Sequence, residues 1–263
     1  MKLRTELIEK PWGRTRIPPN FVNPDKRKIG EVWFTSDVDQ PLLVKWLFTS
    51  ERLSVQVHPN DAQARQRGLA RGKTECWYIV DAEPGATLGL GLTRQVEEAE
   101  LREAALDGSI EQLLDWRPVT AGEFFFVPPG TIHAIGEGLT LVEFQQNADF
   151  TYRLFDYGRP RELHLEDGVA VAERGVYPPE LCTKVGAAPS VLVDGPQFAL
   201  IQAIDGEAPG NGLSDRRRWI IPVEGTARSG DDHAGPGDCL LIETGAPLDF
   251  PASRILIGAE VSG

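Results

Sequence analysis

Glycine and proline punctuate this chain from end to end, and no other feature restricts its fold as much. The 27 glycines and 20 prolines are spread through all 263 residues rather than gathered in one tract, which favours many short strands joined by turns over long helices. The expected fold is mainly β. With 41% hydrophobic and 25% charged positions, the chain has the composition of a folded protein and the length for one large or two small domains.

A formal net charge of −12 argues against general affinity for nucleic acid or anionic membranes, because the long-range field repels polyanions. A small anionic substrate stays compatible if a few basic residues line its pocket. The N-terminal run MKLRTELIEKPWGRTR has no apolar core of the length a signal peptide needs, and no stretch approaches the ~20 apolar residues of a membrane span. A cytosolic protein is the expectation. Cys76, Cys182 and Cys239 are widely spaced and odd in number, so neither a disulfide framework nor a cysteine zinc cluster is indicated. Of four histidines, His58 and His133 lie in strand-like apolar surroundings, while His164 and His233 lie in polar segments and are assigned to the surface. A metal site should start from the first two.

Pro41 to Val57 reads as two strands broken by the polar TSER, a hairpin signal. Alternation puts Ser54, Gln56 and His58 on one face and Leu53, Val55 and Val57 on the other. Such an inverted pattern suits a strand whose polar face is a functional interior. Glu75 to Val80 reads as a further strand. Thr93 to Trp116 is the clearly helical region, with Leu101, Ala104 and Ala105 on one side and Ser109 with Gln112 as a capping box. Gly122 to Val127 and Thr131 to Ile135 read as strands around a Pro-Pro-Gly turn. Tyr157 to Ser190, rich in charge and proline, reads as a connector, and strands resume from Val191.

An internal repeat divides the chain. Gly122 is followed by Gly130 and then His133 at offsets that Gly237, Gly245 and Leu248 reproduce, with the apolar runs FFFV and CLLI in register. The second half therefore offers Leu248 where the first offers a histidine. Two units are expected: 1–160, carrying the metal and a helical insert at about 93–116, and 161–263 without metal ligands.

The segment Gly122-x5-Pro128-x-Gly130-x2-His133 resembles the second motif of cupins, small β-barrels whose histidines bind a divalent metal. The runs LSVQVHPND, GKTECWYIV and FFVPPGTIHAIGEGLTLVEFQQNADFTYRLFDYGR, with PWGR and GEVW nearer the N-terminus, resemble class I mannose-6-phosphate isomerases in their short bacterial form. The similarity is good from about residue 10 to 161 and holds in outline beyond.

The resemblance implies two cupin-like jelly-roll barrels and an enzyme that interconverts mannose 6-phosphate and fructose 6-phosphate through a cis-enediol. It implies one divalent metal held by Gln56, His58, Glu75 and His133. Imidazole, carboxylate and amide oxygen suit zinc first, with manganese, iron or cobalt able to occupy a similar site. Ser54, Lys73 and Arg153 match residues that handle the phosphosugar, with Lys73 and Arg153 in the chemistry. Glu143 is a candidate base or a structural ion-pair partner. The sequence reads Lys73-Thr74-Glu75 where many members have Lys-Pro-Glu, and the helical domain of the long enzymes is absent. A non-catalytic sugar-phosphate binder and a cupin metal-dependent oxygenase are the alternatives, and oligomeric state is not indicated.

Overall fold

The computed structural model describes residues 1–261, and its elements follow the glycine and proline punctuation. β1 (Arg4–Arg14), β2 (Ile29–Thr35), β3 (Leu42–Phe48) and β4 (Val55–Val57) precede a short helix, α1 (Asp61–Gln66). Next come β5 (Glu75–Ala82), β6 (Thr87–Leu92), α2 (Glu98–Asp107), α3 (Ile110–Leu113) and β7 (Leu114–Pro118). β8 (Glu123–Val127), β9 (His133–Ile135), β10 (Leu139–Gln146), β11 (Tyr152–Phe155) and α4 (Leu165–Val171) follow. The remainder is β12 (Cys182–Lys184), β13 (Ser190–Asp194), β14 (Phe198–Ile204), β15 (Arg218–Glu224), β16 (Ala227–Ser229), β17 (Asp232–Ala234), β18 (Leu240–Ile242) and β19 (Arg254–Glu260). The last two residues of the second expected unit, 262 and 263, lie outside the described residues.

These strands make three large sheets and a β16–β17 hairpin. The central sheet has seven strands in the order β1-β2-β3-β10-β5-β8-β12, the second runs β11-β4-β9-β6-β7, and the third runs β13-β14-β19-β15-β18. Because side chains alternate along a strand, the central sheet feeds two cores. Val44, Trp46, Tyr78 and Phe144 share one cluster with Phe198, Trp219 and Leu256 of the third sheet. Leu47, Trp77, Ile79 and Leu141, one residue out of phase, share another with Leu88, Leu90 and Ile135 of the second sheet. Each of these fully buried side chains contributes roughly 1.5–3 kcal/mol by its removal from water. The third sheet comes so close that a Cβ on Gly258 would meet the Phe144 ring at 2.6 Å.

The inverted alternation around β4 has its explanation here. Val55 and Val57 pack outward in a cluster with Leu101, Ala104 and Ala105 of α2 and Val169 of α4, which leaves Gln56 to face the central sheet. The fold is thus mainly β, with helices covering the outer face of the second sheet. Among the described residues the sheets are open, each with two edge strands, and no closed barrel forms.

Several local expectations are corrected. β3 and β4 do not form a hairpin: β3 pairs with β2 and β10, and β4 with β9 and β11. TSER is therefore a crossing between two sheets, a pairing decision that local turn chemistry does not fix. The 93–116 insert is two helices, 98–107 and 110–113, and its end from Leu114 is strand β7 pairing with β6. Ser109 is in a helical conformation and makes no capping bond through its side chain; the reciprocal box is at Asn60 and Gln63, opening α1. The 157–190 connector contains α4 and β12, the latter pairing with β8. Gly122, Gly130, Gly237 and Gly245 all have positive φ, so the repeat marks equivalent backbone turns, and Leu248 packs half-buried on the outer core of the third sheet.

Candidate metal centre

The centre lies between the central and second sheets. Gln56 on β4 sits directly opposite His133 on β9, while Glu75 opens β5, paired with Val127 on one side and Gln145 on the other. His58 leaves the end of β4 and is clasped from both directions: Gly130 N–H donates to its carbonyl at 2.8 Å, and Lys73 N–H donates to the carbonyl of Pro59 at 3.1 Å. Gly130 holds φ 86°, in the left-handed region that glycine enters without steric cost, and this turn aims His133 inward. Asp61 braces the other strand. Its carboxylate accepts from Gly72 N–H and from the Gln146 amide, and Gln146 in turn accepts from Thr74 N–H beside Glu75.

The result is a tight, buried group. His58, Glu75 and His133 are buried, and one ligand atom from each lies within 4.8 Å of the others. His133 Nε2 is 3.2 Å from Glu75 Oε1, and His58 Nε2 is 3.6 Å from Glu75 Oε2. The Gln56 amide reaches His133 Nε2 at 3.1 Å, and rotation of that amide would exchange its nitrogen for its oxygen there. His133 Nδ1 lies 2.8 Å from the carbonyl of Thr131; a proton shared there leaves Nε2 as a lone-pair donor facing Glu75, the usual arrangement for a metal-ligating histidine.

Electrostatics favour a ligand set. Burial, helped by the Lys73 charge, holds the His58 imidazole well below the usual histidine range, so it is neutral. Burial alone would raise Glu75, but Lys73 and His58 outweigh it and hold the carboxyl well below the usual carboxylate range. Both Glu75 oxygens are buried without a hydrogen bond of ordinary geometry, although Lys73 Nζ is 3.0 Å from one of them. An ionised, buried carboxylate with unsatisfied lone pairs facing the imidazoles of His58 and His133 is a donor set that a divalent cation fits.

Of the other sequence-selected residues, Ser54 is buried with its hydroxyl 3.5 Å from Gln56 Oε1. Lys73 sits at the centre itself, 3.2 Å from His58 Nε2. Arg153, opposite Gln56 on β11, lines the inner cleft with Ser54 and Lys73 and also walls a larger outer cavity of about 560 Å³. His164 is not a free surface residue: it borders that outer cavity, and its N–H donates to the Arg153 carbonyl at 2.8 Å. His233 is exposed, as expected. Glu143 is ion-paired with Lys45 at 3.2 Å and accepts from Trp77 Nε1 at 3.1 Å.

Sequence reasoning missed Lys45, Glu31, Asp156 and Arg161. Lys45 carried a legible signal, a single cation inside the apolar run LLVKWLF, all of it buried. Asp156 and Arg161 carried none, because nothing local marks a carboxylate as buried.

The chain is thus a mainly β protein whose buried His-Glu-His group, which could hold a metal ion, adjoins a polar cleft lined by Gln56 and Lys73. No family model matches the chain. In sequence it is 41% identical to mannose-6-phosphate isomerase from Streptococcus mutans over 169 residues, 61% of this chain and 53% of that protein. It is 46% identical to mannose-6-phosphate isomerase ManA from Bacillus subtilis over 140 residues, 51% of this chain and 44% of that one. The chain spans about half the length of the curated relatives it matches. Its fold is similar to the crystal structure of mannose 6-phosphate isomerase from Bacillus subtilis, with a TM-score of 0.82, 27% identity and 99% of each chain covered. A phosphomannose isomerase variant from Salmonella typhimurium shares the fold at a TM-score of 0.74 and 16% identity, with 99% of each chain covered. The similarity to mannose-6-phosphate isomerases implied by the sequence motifs thus extends to the whole fold.

Proposed function

We propose that this protein interconverts mannose 6-phosphate and fructose 6-phosphate, moving a proton between C2 and C1 through a cis-enediol. The observation that carries the reading is the convergence of buried Glu75 with His58 and His133 at the base of a cleft whose lining charges are mostly positive, in a chain of net charge −12. A local positive field of this kind draws in a small anion that the rest of the surface repels. Similarity to mannose-6-phosphate isomerases supports the choice of sugar.

Gln56, His58, Glu75 and His133 would hold one divalent ion, zinc being the first choice for this donor set. When bound, it supplies Lewis acidity toward sugar oxygens. Arg153, whose Nε is buried without a hydrogen-bond partner among the described residues, offers N–H donors to an oxygen that becomes negative as the C–H proton leaves, an interaction stronger in the transition state than in the ground state. Ser54 is a neutral donor in the same cleft. Lys73, beside the ligands, is positioned to assist opening of the sugar ring. The paired sheets around this centre and the repeat of their turns support a reading as two jelly rolls.

A coupled assay on mannose 6-phosphate tests the proposal, run on purified protein with chelator and again with zinc restored. Turnover that disappears with chelator and returns with metal is the expected result. Metal-loaded protein that fails to turn over the sugar would refute it.

A further inference from the structure

If the reacting carbons sit at the metal centre, the phosphate on C6 lies at the far end of the sugar and needs its own anchor. Lys73 is drawn to the ligand end, 3.0 Å from Glu75 and 3.2 Å from His58. Lys45 is committed to Glu143 at 3.2 Å and Lys10 to Glu31 at 3.4 Å. The other two cations of the cleft are Arg153 and Arg161, and a guanidinium, unlike an ammonium, keeps a free nitrogen when it is forked on a carboxylate.

Arg161 is held in a manner that surface arginines are not. Its Nε and one terminal nitrogen donate to the two oxygens of Asp156, each at 2.6 Å, a bidentate fork on a carboxylate that is 2% exposed. Asp156 also accepts from Arg159 at 3.1 Å, and Arg159 reaches on to the Arg52 carbonyl and Glu51. The fork fixes the guanidinium plane and leaves Nη1 of Arg161 as a rigid donor pair. Arg161 also bears on Arg153: burial first, then the like charge of Arg161, disfavour the charged Arg153, although a guanidinium stays protonated. Asp149 lines the same cleft and, with Asp156 and Glu162, offsets part of the charge on Arg153, while Arg161 makes no ion pair other than its fork on Asp156 among the described residues.

We infer that Arg161, positioned by buried Asp156, anchors the dianionic phosphate of the sugar substrate and leaves Arg153 free for the reacting oxygens. The inference rests on the isomerase reading for the identity of the sugar; the anion site itself does not. Asp156 is a positioning residue, since it touches Arg161 and not the substrate.

Three variants and two probes test this. Arg161→Gln should raise KM for mannose 6-phosphate by about 10- to 100-fold, the scale of a lost hydrogen bond to a charged group, with kcat changed far less, metal content kept and melting temperature within a few degrees. Arg161→Lys should recover part of the loss. Asp156→Asn should raise KM in the same direction, and the double variant should be no worse than Arg161→Gln alone, because the two act through one group. Calorimetric binding of inorganic phosphate should weaken in parallel, and unphosphorylated mannose should show no difference between wild type and Arg161→Gln. An unchanged KM and unchanged phosphate affinity in Arg161→Gln would overturn the assignment. Should the wild type lack turnover yet bind phosphate through Arg161, the isomerase reading fails and the anion site stands; absence of phosphate binding in the wild type sinks the site.

Discussion

Gln56 and His133 face each other across the β4–β9 ladder and their side chains meet at 3.1 Å, so an amide from one motif and an imidazole from the other are brought side by side by a single register. A one-residue slip of β4 in that ladder would turn Gln56 to the other face, away from His133.

His133→Ala should therefore abolish metal binding and turnover together. Far-UV circular dichroism should keep its strand signature, because the cores on either side of the central sheet are apolar and independent of an ion. Elemental analysis should find one equivalent of divalent metal in the wild type and none in the variant after dialysis. Two equivalents surviving in the wild type, or one in the variant, would show that the ligand set is wrong.

Arg153→Met should separate chemistry from metal binding. The guanidinium cannot ligate a cation, so metal content should be full and the melting temperature near that of the wild type. We expect kcat to fall by at least ~100-fold, the usual scale for removing a donor to a developing oxyanion. A variant with full metal and unchanged kcat would exclude Arg153 from the reaction, whereas a loss confined to KM would place it on ground-state binding.

The buried Glu31–Lys45–Glu143 network gives a pH dependence of known sign. Burial would raise Glu31, but Lys45 and Lys10 outweigh it and hold the carboxyl below its ordinary 4.5. Burial would lower Lys45, but Glu143 and Glu31 outweigh it and hold the amine above its ordinary 10.5. The Glu31 contribution is thus present above pH 4.5 and lost as pH falls through the lower folded value. That of Lys45 is present below pH 10.5 and lost as pH rises through the higher one. Lys45→Met should cost about 3–5 kcal/mol at pH 7 by leaving buried carboxylates unpaired. The deficit should shrink toward pH 4 as Glu31, no longer held down by Lys45, takes up a proton. Urea unfolding at the two pH values measures both; an unchanged midpoint at pH 7 would mean the network contributes nothing to stability.

What the sequence determined by itself is local. Strand-length runs between turn residues, the inverted alternation at Ser54, Gln56 and His58, the turn at Gly130 and the proximity of Lys73 to Glu75 in the chain are all read within a dozen residues, since side-chain alternation and turn conformations are properties of short segments. The mainly β fold and the metal candidates follow from them. Tertiary structure decided which strands pair and which charges meet. Nothing near TSER says that β3 joins the central sheet while β4 joins the second. The pairing of Lys45 with Glu143 depends on β3 lying beside β10, and the burial of Asp156, which aims Arg161 into the cleft, depends on its surroundings in the folded chain. A carboxylate near an arginine in sequence is ordinarily a solvated pair of little energy; removal from water makes the same pair rigid and directional, and that removal is a property of the folded chain.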